Sequence, residues 1–137
     1  MDMTVRDCAG EDVSLRDFAC GAVLTLIDVG TASMPPCVEA TDAYAKDPEY
    51  AALKADGLRI VQVFREDESG GPATAPWCQG FSLAHGVDFT LLTDPFQETS
   101  AMGLPMPLNV IVDADARVLA IWSGELPEAG GKVEQLR

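Results

Sequence analysis

The sequence contains no pair of cysteines separated by two residues. Its four cysteines, Cys8, Cys20, Cys37 and Cys78, are widely spaced. Such spacing matches no zinc-ligand pattern and is too sparse for a disulfide scaffold. We therefore expect Cys8 and Cys20 to be small, buried or half-buried apolar residues, although a disulfide between them near the first strands stays open.

Basic residues are also scarce. Nine Lys and Arg stand against 22 Asp and Glu, which gives a net charge of -13. This charge repels nucleic acid and anionic membranes, so neither is expected as a partner. No apolar run approaches the roughly 18 residues of a membrane span, and the N-terminus MDMTVRDCAG lacks the features of a secretory signal. We expect a soluble cytoplasmic protein without a membrane segment; a removed leader or anchor would instead make it periplasmic.

What the chain does contain is a regular alternation of strand and helix patterns. Its 137 residues, 47% hydrophobic, predict one domain spanning 1–137. The pattern predicts a three-layer α/β/α sandwich, with helices on both faces of a mixed sheet of about five strands and an N-terminal β-hairpin. The predicted strands are 22–29, 58–64, 87–94 and a hairpin over 108–124; the predicted helices are 35–56 with a break at Asp47-Pro48, 76–84, a turn near 97–102 and, at most, a short helix in 126–137.

One acidic residue and one cysteine lie at the favoured place for a site in such a sheet. Asp28 interrupts the apolar strand 22–29, and an ionisable group there usually has a function or a partner. The loop that leaves this strand, TASMPPC (31–37), runs into a helix whose first turn suits two prolines. Because a helix N-terminus stabilises a thiolate, this position is compatible with a lowered pKa for Cys37, although a cysteine there can equally be buried.

Two separated segments resemble one family. The stretches GEDVSLRDFACGAVLTLIDVGTASMPPC (10–37) and LPMPLNVIVDADARVLAIWSG (104–124) resemble the thioredoxin fold, in particular the thioredoxin-like redoxins of the AhpC/TSA and TlpA type. The resemblance covers nearly the whole chain. In that family a strand leads into a W-C-P-P-C motif, whose five places are taken here by Ser33, Met34, Pro35, Pro36 and Cys37.

The resemblance implies roles for two further residues. Asp28 matches the buried acid that exchanges a proton with the second cysteine, and Pro107, after Met106, matches a cis-proline that closes the floor of the active site. The family's activity is thiol–disulfide exchange, in which the first cysteine attacks and the second resolves. Met34 cannot form a thiolate, so that route is closed. The resemblance implies no cofactor and, as partner, a protein thiol or disulfide.

Four interpretations of Cys37 stay open. It could be a packed residue in a non-enzymatic binding module. It could be the single thiol of a redox protein with Asp28 as proton acceptor. In a peroxiredoxin-like version, the Thr-x-x-Cys motif of those enzymes aligns with Met34–Cys37. Met34 replaces the threonine, which favours thiol transfer over peroxide reduction. It could pair with Cys78, or it could bind Cu(I) together with Met34 and Met106.

The pairing with Cys78 conflicts with the expected architecture. We expect the helices that carry Cys37 and Cys78 on opposite faces of the sheet, too far apart for a disulfide, so that Trp77 and Cys78 plug the core. We favour a divergent thioredoxin-like protein of the thiol–disulfide oxidoreductase family. It lacks two-cysteine exchange, and its residual chemistry is centred on Cys37 and assisted by Asp28.

Overall fold

A computed structural model describes residues 3–103 and 105–123. Within them the chain forms seven strands, four α-helices and one 3-10 helix. The predicted helix in 126–137 lies outside the described residues. The elements are β1 (Thr4–Asp7), β2 (Asp12–Ser14), α1 (Leu15–Ala19), β3 (Leu24–Gly30), α2 (Pro35–Lys46), α3 (Pro48–Ala55), β4 (Leu58–Phe64), α4 (Ala75–His85), β5 (Thr90–Thr93), the 3-10 helix (Glu98–Met102), β6 (Leu108–Asp113) and β7 (Val118–Ser123).

All seven strands form one mixed sheet. Their order is β2-β1-β5-β4-β3-β6-β7, with β3, β4 and β5 parallel and the other pairings antiparallel. The α/β class and the N-terminal hairpin are confirmed. The expected strand count of about five is wrong, because β1 pairs with β5 and thereby joins the N-terminal hairpin to the central sheet. This contact links segments far apart in the chain, and no local pattern encodes it.

Helices cover both faces, but three of them share one. Helices α2, α3 and α4 pack over the face that carries Leu26, Ile60 and Phe64. On the other face α1 and the 3-10 helix meet the valines and isoleucines of β3, β4 and β6. The crossovers from β3 to β4 and from β4 to β5 step in the same direction, and right-handed crossovers then place their helices on the same face. The expectation that α2 and α4 lie on opposite faces is therefore wrong.

The helix boundaries follow local chemistry. The residue before a proline avoids helical backbone angles, and Asp47 is extended (φ -71°, ψ 133°), so it separates α2 from α3 as predicted. The Thr74 hydroxyl caps α4 by accepting from the Trp77 backbone, and Gly86 ends it in a left-handed conformation (φ 61°). Among the described residues no helix has the length and apolarity needed to cross a bilayer.

Candidate functional site around Asp28 and Cys37

A row of three polar residues crosses the centre of the sheet beneath α2. Asp28 on β3 is in register with Gln62 on β4 and with Asn109 on β6. All three are buried, and most other residues of their strands are apolar. Buried polar groups need hydrogen-bond partners, so this row requires partners from the helix above it.

Tyr44 supplies the partner of Asp28. Its hydroxyl, on α2, donates a hydrogen bond to Oδ2 of Asp28. The other carboxyl oxygen, Oδ1, is buried and has no hydrogen-bond partner. Burial raises the pKa of Asp28 to about 7, and the Tyr44 hydrogen bond opposes this rise. Burial and the neighbouring Asp28 charge likewise hold the pKa of Tyr44 well above its ordinary value.

The Cys37 side chain and the unpartnered oxygen of Asp28 both border Gly30, the last residue of β3. A methyl group in place of a hydrogen on the Gly30 Cα would lie 2.5 Å from Cys37 Sγ and 3.9 Å from Asp28 Oδ1. Only a glycine leaves room for the sulfur here. The structure thus brings together the cysteine and the acid that the sequence singled out.

The alternative of a lowered Cys37 pKa is wrong. Cys37 is the third residue of α2, but its side chain is 0% exposed. Burial raises the pKa of its thiol to about 11; a hydrogen bond with the Thr31 backbone opposes this, and the Asp28 charge adds to it. Desolvation of the buried thiol is the largest cause of this rise.

Further polar contacts hold the Cys37 backbone. Its carbonyl oxygen accepts from Gln62 Nε2 at 3.2 Å and from the Thr41 hydroxyl at 3.4 Å. Thr41 also contacts Gln62 Oε1 at 2.7 Å. These contacts fix the first two turns of α2 on the sheet. The sequence analysis missed Gln62, Thr41 and Tyr44, although a glutamine inside the apolar run LRIVQVF was a usable signal.

The loop between β3 and α2 is tied to the neighbouring loop. The Ala32 amide donates to the Glu66 carbonyl at 3.0 Å, and the Arg65 amide donates to the Gly30 carbonyl at 2.9 Å. On the other side, the Met106–Pro107 peptide bond is cis. Since Val29 pairs with Leu108, Pro107 comes next to Gly30 in the register. Both segments border the place where Cys37 is buried.

The two methionines proposed as copper ligands differ in position. Met34 is the N-cap residue of α2 and packs against the apolar cluster that contains Cys37. Met106 is not a member of that cluster within the described part of the chain. No group of three or more His, Cys, Asp or Glu residues in residues 3–103 and 105–123 could hold a metal ion. The Cu(I) site stays a prediction.

Cys78 is bonded to Cys8 and not to Cys37. The disulfide joins the turn after β1 to α4, with 5.2 Å between the two Cα atoms. Cys20 and Cys37 are free thiols, so the alternative Cys8–Cys20 pairing is also wrong. Cys78, on α4, is a buried member of the apolar cluster that also contains Cys37 and Phe64. The bond exists because β1 pairs with β5 and brings the Cys8 turn under α4.

Solved structures of similar shape identify the architecture. A protein assigned as the thiol:disulfide interchange protein DsbE of Chlorobium tepidum aligns over 98% of this chain and 89% of its own, with a TM-score of 0.72 and 23% identity. The thioredoxin domain of a thiol-disulfide oxidoreductase from Bacteroides vulgatus aligns over 99% and 93%, with a TM-score of 0.69 and 18% identity. This chain has the thioredoxin-like fold. A peroxiredoxin-like protein from Aquifex aeolicus aligns over 100% and 84%, with a TM-score of 0.70 and 13% identity.

Sequence comparison adds nothing to this assignment. No protein-family model matches the chain, and no curated protein matches it. The identities to the three structures lie below 25%, so these matches establish the thioredoxin-like fold and leave the chemistry to be argued from the residues. Within that fold, the Cys37 loop leaves the C-terminal end of a central strand, where the sequence analysis expected it.

Replacing Gly30 with alanine is expected to destabilise the fold. The new methyl group would clash with Cys37 Sγ and lie 2.9 Å from Cys37 Cβ, so we expect a loss of about 1–3 kcal/mol in the free energy of unfolding. Urea denaturation measures it. Adding Cys37→Ala should recover part of the loss, because the closest contact disappears. Gly80→Ala, in open space on α4, is the control and should not destabilise. Equal effects at both glycines would contradict the tight packing at Gly30.

The stability of the fold should depend on the Asp28 carboxyl. Folding raises the pKa of Asp28 from its ordinary value of 3.8 to about 7. The stability that the Asp28 carboxyl contributes is therefore fully present below pH 3.8 and is lost as the pH rises through about 7. Relative to Asp28→Asn, the wild type should lose on the order of 4 kcal/mol between pH 4 and pH 8. Urea denaturation of both proteins across this pH range measures the difference in their free energies of unfolding. The effects of the other carboxylates are the same in both proteins and cancel in this difference. Parallel pH profiles would contradict the raised pKa.

Proposed function

We propose that this chain is a divergent thioredoxin-like thiol protein whose Cys37 reacts as a single, gated thiol with Asp28 as its proton acceptor. The 31–37 loop cannot carry out two-cysteine exchange, because Met34 occupies the position of the first cysteine. One observation carries it: the unpartnered oxygen of a buried carboxyl and the sulfur of a buried thiol border the same glycine, Gly30.

The unpartnered oxygen needs an explanation. A buried polar atom without a hydrogen bond costs roughly 1–3 kcal/mol, and an apolar residue at this position would avoid that cost. Perturbed carboxyls cluster at functional sites, because a group whose pKa is near the ambient pH can both take and release a proton. Asp28, with a pKa of about 7, has this property at neutral pH.

The proposed step uses one sulfur. Asp28 Oδ1 takes the proton of the Cys37 thiol, and the thiolate attacks one sulfur of a partner disulfide. A Cys37–partner disulfide forms, the partner's S–S bond breaks, and the electron pair leaves on the partner's second sulfur. Met34 cannot resolve this mixed disulfide. It therefore persists until an outside thiol attacks it and returns Cys37 as a thiol.

Burial imposes a gate on this step. With a pKa of about 11, roughly one Cys37 in 10⁴ is a thiolate at pH 7. The side chain is also 0% exposed, so a partner reaches it only after the loop at 31–34 moves away. The links from Ala32 and Gly30 to the loop after β4 would have to open with it. Slow, partner-induced reaction fits this geometry better than rapid turnover.

A non-enzymatic binding module is the second candidate. The complete burial and raised pKa of Cys37 favour it, since a sulfur that never reaches a partner contributes only packing. Both candidates share the fold and the lost first cysteine. They differ in one property, which is whether Cys37 becomes accessible without unfolding of the whole domain.

Labelling of the native protein separates the two candidates. Iodoacetamide with mass-spectrometric readout should modify the half-buried Cys20 first, and Cys37 more slowly by about 100-fold or more, yet faster than global unfolding allows. Asp28→Asn should slow the Cys37 reaction at pH 7–8 and leave Cys20 unchanged, because the proton acceptor is gone. A Cys37 rate equal to the global unfolding rate, obtained from urea kinetics, would favour the binding module.

Restoring the missing sulfur should restore exchange. Met34→Cys places a thiol at the N-cap of α2, three residues before Cys37, and should give measurable catalysis of insulin reduction by dithiothreitol. The wild type and the matched control Met34→Ser should show nearly none through this loop. Vigorous wild-type turnover that disappears in Cys37→Ser would contradict the proposal.

A further inference from the structure

The Cys8–Cys78 disulfide is the second sulfur centre of this chain. It belongs to the same apolar cluster as Cys37 and ties the turn after β1 to α4 across 70 residues of sequence. Nothing in the proposed chemistry of Cys37 uses it. Both sulfurs face the Leu91 carbonyl, at 3.5 Å from Cys8 and 4.0 Å from Cys78, but the two residues differ in exposure. Access decides which sulfur of a disulfide can be attacked.

Cys8 is the more exposed residue of the disulfide. Cys8 is partly exposed in the hairpin turn, where the following residues Ala9 and Gly10 are exposed. Cys78 is 0% exposed, within the cluster formed by α4, Phe64 and Phe81. An outer sulfur that meets partners and an inner sulfur that leaves and returns is the arrangement that stepwise thiol–disulfide exchange requires.

The inner sulfur occupies a suitable place for a leaving group. The Cys78 amide donates to the Thr74 carbonyl at 2.9 Å, so Cys78 closes the first turn of α4, an eleven-residue helix. The helix dipole there favours the negative charge that a departing thiolate carries. Protonation then returns Cys78 to the neutral state that its apolar surroundings prefer.

The two cysteines would stay together after reduction. The Cys8 carbonyl accepts from Gln79 Nε2 on α4 at 2.7 Å, which holds the turn against the helix without the covalent bond. The turn itself is closed by the Asp7 carboxylate, which accepts from the Ala9 and Glu11 amides, each at 3.0 Å. β1 also remains paired with β2 and β5.

We propose that Cys8–Cys78 is a reversible redox disulfide that exchanges with dithiols through Cys8. A thiolate of the outside dithiol bonds to Cys8 Sγ, the Cys8–Cys78 bond breaks, and its electron pair leaves on Cys78 Sγ, which takes a proton. The second thiol of the dithiol then attacks the mixed disulfide and releases Cys8 as a thiol. In total the protein disulfide gains two electrons and two protons, and the dithiol becomes a disulfide. This reaction does not depend on Cys37.

Two single variants test the division between outer and inner sulfur. In Cys78→Ser, the remaining Cys8 should form a mixed disulfide with oxidised glutathione at least ~10-fold faster than Cys78 does in Cys8→Ser, because a buried thiol reacts only through local opening. Mass spectrometry of the native proteins measures both rates. Equal rates, or a faster Cys78, would overturn the proposal.

The wild type tests reversibility without any change in sequence. The protein is equilibrated at graded ratios of reduced to oxidised dithiothreitol, quenched with acid, alkylated and mapped by mass spectrometry. Cys8 and Cys78 should become labelled together as the dithiol reduces their bond, and should lose the label together when the bond re-forms. The near-UV circular dichroism should be retained throughout, and the Cys37→Ser variant should give the same titration. A disulfide that resists excess dithiol until the protein unfolds, or whose reduction coincides with loss of the near-UV signal, would overturn the proposal. Neither result changes the expected labelling of Cys37, so the two proposals fail separately.

Discussion

The close contact between Gly30 and Cys37 fixes α2 on the sheet, and the site depends on it. A glycine at the end of β3 lets the first turn of the helix approach the strand closely enough to enclose the sulfur. At that distance Tyr44, two turns further along α2, reaches Asp28, and the Cys37 carbonyl reaches Gln62. A larger residue at position 30 would push the first turn of α2 away from the sheet and weaken the contacts of Asp28 with Tyr44 and of Gln62 with Cys37.

Because of this packing, ionisation of the Asp28 carboxyl and ionisation of the Cys37 thiol oppose each other. An apolar surrounding raises the pKa of both Asp28 and Cys37, and each negative charge would make the other harder to form. The pair therefore holds at most one negative charge near neutral pH, and that charge resides on the carboxyl. Such an arrangement suits proton exchange during a slow step. It does not suit a permanently ionised nucleophile.

The sequence was informative where structure is local. The strand LRIVQVF, the break at Asp47-Pro48 and the hairpin at 108–123 could all be predicted, because each depends on neighbouring residues. The position of Cys37 after β3 could be predicted from the loop. Its pKa could not, since burial by Phe64 and α4 depends on long-range packing. The bond between Cys8 and Cys78 follows from the pairing of β1 with β5, which no local pattern reveals.

The length of chain enclosed by the Cys8–Cys78 bond has a consequence for the lifetime of the protein. A covalent link across 70 residues removes conformational freedom from the unfolded chain, which by loop-closure entropy corresponds to about 4 kcal/mol of added stability. Unfolded chain is what proteases cut most readily. A reducing environment would therefore make this domain shorter-lived than an oxidising one, so that its abundance would follow the surrounding thiol pool.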